Sequence, residues 1–132
     1  MGNLIGIENE WIRAVVSTDG AEMQSIVQKS TGKELLWQGN PDIWRKRAPW
    51  LFPVIGQLKG GSFRHNGVEY AHPMHGFASA SEFAVAMQAE NSVTLALTAS
   101  DETKQVYPWN FELRITYRAE GEALKIGCDY AE

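Results

Sequence analysis

The chain has 132 residues, a formal net charge of −4, 44% hydrophobic and 11% aromatic residues, and one cysteine. That apolar share excludes the disordered class, and the acidic balance argues against a nucleic-acid partner, whose phosphates call for clustered Lys and Arg. One cysteine forms no internal disulfide, Cys128 lacks zinc-type Cys/His spacing, and no apolar run approaches the roughly 18 residues that cross a bilayer.

In chain order, most segments read as short strands. Leu4, Ile5 and Ile7 form a first apolar segment. Trp11 to Ser17 is rich in β-branched residues and ends at the turn pair Asp19-Gly20. Glu22 to Gln28 alternates around Met23, Ser25 and Val27, and Leu35-Leu36-Trp37 is another short apolar run. Residues 38 to 61 hold prolines and aromatics but few strand signals. They predict a long loop whose aromatic content favours order. Asn66-Gly67 predicts a two-residue hairpin turn between Ser62–His65 and Val68–Tyr70, because both turn positions need positive φ.

The second half has period two throughout. Phe83, Val85, Met87 and Ala89 form one face; Val93, Leu95, Leu97 and Ala99 the next; then Phe111, Leu113, Ile115 and Tyr117; then Leu124, Ile126 and Cys128. Four such strands with short turns predict an antiparallel meander with one buried face. Asp101 to Val106 predicts a single helical turn capped by Ser100 or Asp101 and stopped by Pro108. The N-terminus lacks a basic region followed by a long apolar stretch, so a soluble, cytoplasmic protein is expected.

Few residues suggest chemistry by type and spacing alone. Gly56 to Gly61 lacks the glycine spacing of a phosphate loop, and a turn fits it better. Ser79 and Ser81 lie near His75, but no orienting acid or nucleophile elbow accompanies them. His65, His72 and His75 cluster in sequence, yet their spacing does not bring them to one strand face, so no metal is expected. His65 and His72 read as exposed. His75 stands apart, lying between Pro73-Met74 and Gly76-Phe77, where glycine permits close approach. Trp37, Trp44, Trp50 and Trp109 suit either sugar stacking or core packing.

Leu36-Trp37-Gln38-Gly39-Asn40-Pro41, Ala48-Pro49-Trp50-Leu51-Phe52-Pro53-Val54-Ile55-Gly56, Met74-His75-Gly76-Phe77-Ala78 and Tyr107-Pro108-Trp109 follow in order. Together they resemble the aldose 1-epimerase (galactose mutarotase-like) family from about Ile5 to Tyr130. The resemblance implies an all-β, antiparallel β-sandwich, part of a mutarotase-like supersandwich, that takes a small-molecule sugar without a cofactor. In the family, a glutamate deprotonates the anomeric hydroxyl and a histidine protonates the ring oxygen, which is general acid–base chemistry. His75 matches the first family histidine. Gln57 and Ser79 stand where the family places arginines, so a guanidinium fork is lost. Gln57, His75, Phe77 and Trp50 are the implied substrate-binding residues.

Family members are about twice as long. Residues 1–132 therefore read as one partial domain, the N-terminal half, without the second histidine and the catalytic glutamate. Two expectations follow: a lone chain inactive in anomer interconversion, or else a non-catalytic carbohydrate-binding or oligomerising module. Half a sandwich leaves a strand edge and an apolar face open, so a homodimer or higher oligomer is expected.

Overall fold

The structure, a computed structural model, describes residues 2–132. Ten strands and one helical turn α1 (Asp101–Lys104) form two four-stranded antiparallel sheets and a hairpin. The first sheet runs β1 (Leu4–Glu8), β2 (Ile12–Ser17), β3 (Met23–Gln28), β4 (Lys33–Glu34). The second is the expected meander, in the order β10 (Ala123–Ala131), β9 (Glu112–Glu120), β8 (Ser92–Thr98), β7 (Ala84–Ala89). The hairpin pairs β5 (Ser62–His65) with β6 (Val68–Ala71) around Asn66 and Gly67, both at positive φ.

Period-two apolar residues put one face of each sheet into a shared core. Ile5 and Ile7 of β1, Ala14 and Val16 of β2, and Met23 of β3 meet Val93, Leu95 and Leu97 of β8 and Leu113, Ile115 and Tyr117 of β9. All are buried, and each large side chain so placed contributes about 1.5–3 kcal/mol of transfer free energy. On the outer face of the second sheet, Thr94 and Thr116 share a cross-strand hydrogen bond of 2.9 Å.

Four expectations need correction. Leu35-Leu36-Trp37 adds no strand, because pairing with β3 stops after Val27↔Glu34 and Gln28↔Lys33. The β7 residues do not share one buried face. β7 is an outer strand exposed along its whole length, so Phe83 is buried just ahead of it while Val85 and Met87 are exposed, and a bulge between these two also breaks the alternation. Leu124, Ile126 and Cys128 do share a face with the core residues of β9, but only Leu124 packs against the core, and Ile126 is 55% exposed. His72 is buried rather than exposed, sandwiched between the rings of Phe63 and Phe77.

The helical turn follows its sequence signal. The Ser100 hydroxyl accepts from the Thr103 N–H at 3.1 Å, and the Thr103 hydroxyl accepts from the Ser100 N–H at 2.9 Å. This reciprocal cap satisfies two backbone donors that the helix itself leaves free. Among the described residues, no helix is long and apolar enough to cross a membrane.

Candidate functional site

The segment 38–58 is irregular but held by hydrogen bonds at several points. The Asn40 side chain accepts from Asp42 N–H at 2.9 Å, and the Asn40 carbonyl accepts from Ile43 and Trp44. The Trp37 indole donates to the Trp44 carbonyl at 2.8 Å. Buried Glu22, just ahead of β3, accepts from the N–H groups of Arg47 at 2.6 Å and Ala48 at 3.1 Å. Arg47 in turn donates to the Gln24 carbonyl at 2.7 Å and to the Gln38 side chain at 3.0 Å. One carboxylate thus holds two backbone donors that the loop cannot satisfy itself, a charge-assisted arrangement.

A second pair of segments is zipped together at His75. The His75 N–H donates to the Gly56 carbonyl at 2.7 Å, and the Phe52 carbonyl accepts from Phe77 and Ala78 at 2.8 and 3.1 Å. Gly76, at φ +77°, lies so near the Phe52 carbonyl that a Cβ would sit 2.0 Å from its oxygen. Glycine is therefore required on both conformational and steric grounds. His75 itself has φ +67°, a left-handed backbone that non-glycine residues hold only where neighbours enforce it, and often at functional sites.

The imidazole is oriented by the same zipper. Gly56 N–H donates to His75 Nδ1 at 2.9 Å. With Nδ1 accepting, the neutral ring carries its proton on Nε2, which makes no hydrogen bond among the described residues. His75 lines a cavity of about 380 Å³ together with Trp44, Lys46, Pro49, Leu51, Met74 and Ser79. That volume lies within the range of small-molecule sites. Trp44 is half exposed, so an aromatic residue, a lysine, a serine and a histidine share the wall of one opening. No Asp or Glu lines it. A depression of similar size around Glu8, Asn9, Glu10, Lys29, Glu90 and Asn91 has neither a histidine nor an aromatic ring.

Of the residues singled out from sequence, the structure brings His75, Ser79 and Trp44 together. Gln57 is exposed and lies outside the cavity lining. Trp50 turns inward, donating its indole N–H to the Tyr117 hydroxyl at 2.8 Å, while Tyr117 donates to the Ala21 carbonyl at 2.6 Å. Burial pushes the Tyr117 phenol up to about 12. Phe77 sits in an aromatic cluster with Phe52, His72, Tyr107 and Phe111. It supports the floor beside His75 but does not line this cavity. Trp109 stacks on Phe63 and meets the ring of His65. Among the described residues, no group of three His, Cys, Asp or Glu side chains is arranged to hold a metal.

Two contributors were missed from sequence. Lys46 sits in the basic run Arg45-Lys46-Arg47, which carries no motif, and Glu22 stands at the head of the alternating Glu22 to Gln28 segment with nothing to mark it. Their roles depend on the fold of the 38–58 loop, which carries no periodic signal.

Residues 3–130 match the signature of a family described as aldose 1-epimerase. Protein LacX of Lactococcus lactis subsp. lactis is 32% identical over 126 residues, a match covering 92% of this chain and 42% of LacX. The solved structure of a galactose mutarotase related enzyme from Lactobacillus acidophilus superposes with a TM-score of 0.93 at 38% identity, over 96% of this chain and 42% of that one. A galactose mutarotase-like protein from Lactobacillus casei gives 0.91 at 32% identity, over 96% and 43%. The chain thus spans less than half the length of these relatives.

Proposed function

The chain belongs to the aldose 1-epimerase family, and from that premise we propose that it binds a hexose in the His75 cavity without interconverting its anomers alone. It corresponds in this proposal to the N-terminal half of the family's sandwich, in a cytoplasmic setting. The observation that carries the proposal is the pinned imidazole. Gly56 N–H occupies Nδ1, so Nε2–H is the donor left to address a sugar ring oxygen. Trp44 offers a face for the C–H side of a pyranose, and Lys46 and Ser79 are available to its hydroxyls. Lys46 supplies the positive charge that Gln57 and Ser79 do not.

Anomer interconversion also needs a base at the anomeric hydroxyl. The cavity wall has no carboxylate, which favours binding without turnover by a lone chain. The missing base and second histidine would have to come from outside these 132 residues. A chain with an open sheet edge also self-associates in this proposal.

Polarimetry on freshly dissolved α-glucose or α-galactose tests the catalytic half, with no appreciable acceleration expected. A strong rate lost on His75→Ala would show the chain to be a complete enzyme instead. Sugar titration is expected to quench tryptophan fluorescence, and Trp44→Phe to remove the response. No response by about 100 mM sugar, where contacts of a few kcal/mol already give occupancy, would leave the cavity without a sugar role.

A further inference from the structure

Residues 57–74 form an excursion that leaves at Gly56 and returns at His75, and these two residues close its base. Gly56 N–H donates to His75 Nδ1 at 2.9 Å, and His75 N–H donates to the Gly56 carbonyl at 2.7 Å. Most of the excursion is the β5–β6 hairpin, which pairs with neither four-stranded sheet. It rests on the body through rings instead. Phe63 and His65 meet Trp109 with centroids 5.9 and 4.9 Å apart, and His72 lies 5.5 Å from Phe63 and 6.2 Å from Phe77. A two-stranded hairpin is marginal without such support.

His72 is the buried member of this seam. Its N–H donates to the Gly61 carbonyl at 2.9 Å, extending the hairpin ladder by one bond. Its side chain has both ring nitrogens sealed from solvent with no hydrogen-bond partner among the described residues. A neutral imidazole tolerates such a place far better than an imidazolium, whose charge and two N–H donors need water or an acceptor. Burial accordingly lowers its pKa, against the opposing carbonyls of Ala71 and Val106.

No neighbouring group supplies a counter-charge. Arg64 and Glu69 pair on the hairpin face opposite Phe63 and Tyr70, where Arg64 donates to the Gly67 carbonyl and Glu69 accepts from the Ser62 hydroxyl. His65 faces Trp109, and Lys59, ahead of the hairpin, is exposed. On the Phe77 side stands His75, whose Nδ1 is taken by Gly56. On the α1 side, Glu102 and Lys104 are exposed, and the Tyr107 hydroxyl bonds to that of Tyr130.

We infer that His72 is an acid-released latch: its protonation frees the β5–β6 hairpin from Phe77 and slackens the Gly56–His75 pin while both sheets stay folded. The open form hydrates the imidazolium and the closed form does not. Opening therefore becomes up to about tenfold more favourable for each pH unit below the open-form value of about 6.5. The consequence for sugar binding rests on the function proposed above. The latch itself does not, and its test needs no sugar.

Amide hydrogen exchange of the whole chain at pH 8 and pH 5.5, corrected for the intrinsic pH dependence of exchange, reads the opening. At pH 5.5 the amides of the β5–β6 ladder, His72 and His75 are expected to open together, about tenfold more than at pH 8. They are expected to exchange ahead of those of β8 and β9 and to respond little to low urea, because a local opening exposes little surface. His72→Leu is expected to remove the acid response. If that variant does not fold, imidazole NMR of the unaltered chain decides, with His72 expected to protonate only as the hairpin opens. The latch is overturned by a His72 that protonates while the hairpin stays protected, or by an acid response that survives in His72→Leu. Hairpin amides that exchange only together with those of β8 and β9 overturn it too. Opening that leaves the His75 amide protected overturns the link to the site. Absence of any sugar response alongside the expected exchange overturns the proposed function and leaves the latch standing.

Discussion

His75 and Gly76 show how far single residues decide this structure. Gly76 approaches the Phe52 carbonyl so closely that any side chain must push the two segments apart. Gly76→Ala also places a Cβ at φ +77°. It is expected to cost at least about 2 kcal/mol, combining backbone strain with the clash. Urea denaturation measures that cost, and an unchanged midpoint would mean that the His75 zipper is dispensable.

His72 sets up a second prediction at this scale. Both of its ring nitrogens are buried without a partner. Burial pushes its pKa below the usual histidine value, while the nearby backbone carbonyls of Ala71 and Val106 oppose the shift. A depressed folded-state pKa means that the unfolded chain takes up the proton first as pH falls. Stability is therefore full above the unfolded value near 6.5 and declines below it, by up to about 1.4 kcal/mol per pH unit, until the folded pKa is reached. His72→Leu is expected to flatten that acid limb at little cost at pH 8, since no hydrogen bond is lost. Denaturation midpoints at pH 8 and pH 5.5 compare the two proteins; an equal acid loss in both would assign it elsewhere.

Among the elements, the loop before Trp50 depends on the residue that leads into β3, a strand it does not pair with. Glu22 accepts the Arg47 and Ala48 N–H groups, and Lys46 Nζ lies 3.9 Å from its other oxygen. Glu22→Ala leaves two half-buried donors unsatisfied and is expected to destabilise by about 2–4 kcal/mol. It should also loosen Trp44 and Lys46 on the cavity wall. A red-shifted tryptophan emission in the still-folded variant checks this, and an unchanged spectrum and midpoint would remove Glu22 from the support of the site. β7 and β10 teach a related lesson. Both carry the alternation of inner strands, yet both sit at sheet borders, where period two places side chains on a face without ensuring that anything covers it.

For the whole molecule, the two sheets bury a shared core under β8 and β9 that reaches β10 only at Leu124 and Tyr130. The His75 cavity opens on the surface between loops rather than deep between sheets. The cavity has no carboxylate on its wall, and β10 is an outer strand of its sheet. Polarimetry and light scattering probe the two separately, so an inactive dimer, an inactive monomer and an active assembly are distinguishable outcomes.

Local rules were enough to read β1 to β3 and β7 to β10, though not β4, and also the Asn66-Gly67 hairpin, the capped turn at Ser100 and the membership of His75 in a special loop, because alternation, turn chemistry and capping act between near neighbours in the chain. The internal bonding of the 38–58 loop, the inward turn of Trp50, the burial of His72 and the placing of Lys46 on the cavity wall with His75 were decided only in three dimensions. Each depends on a contact between residues far apart in sequence, such as Glu22 with Arg47 or Gly56 with His75, and no periodicity encodes such a contact. The same holds for exposure: identical apolar patterns in β9 and β10 end buried in one and open in the other, since burial depends on what lies across the face.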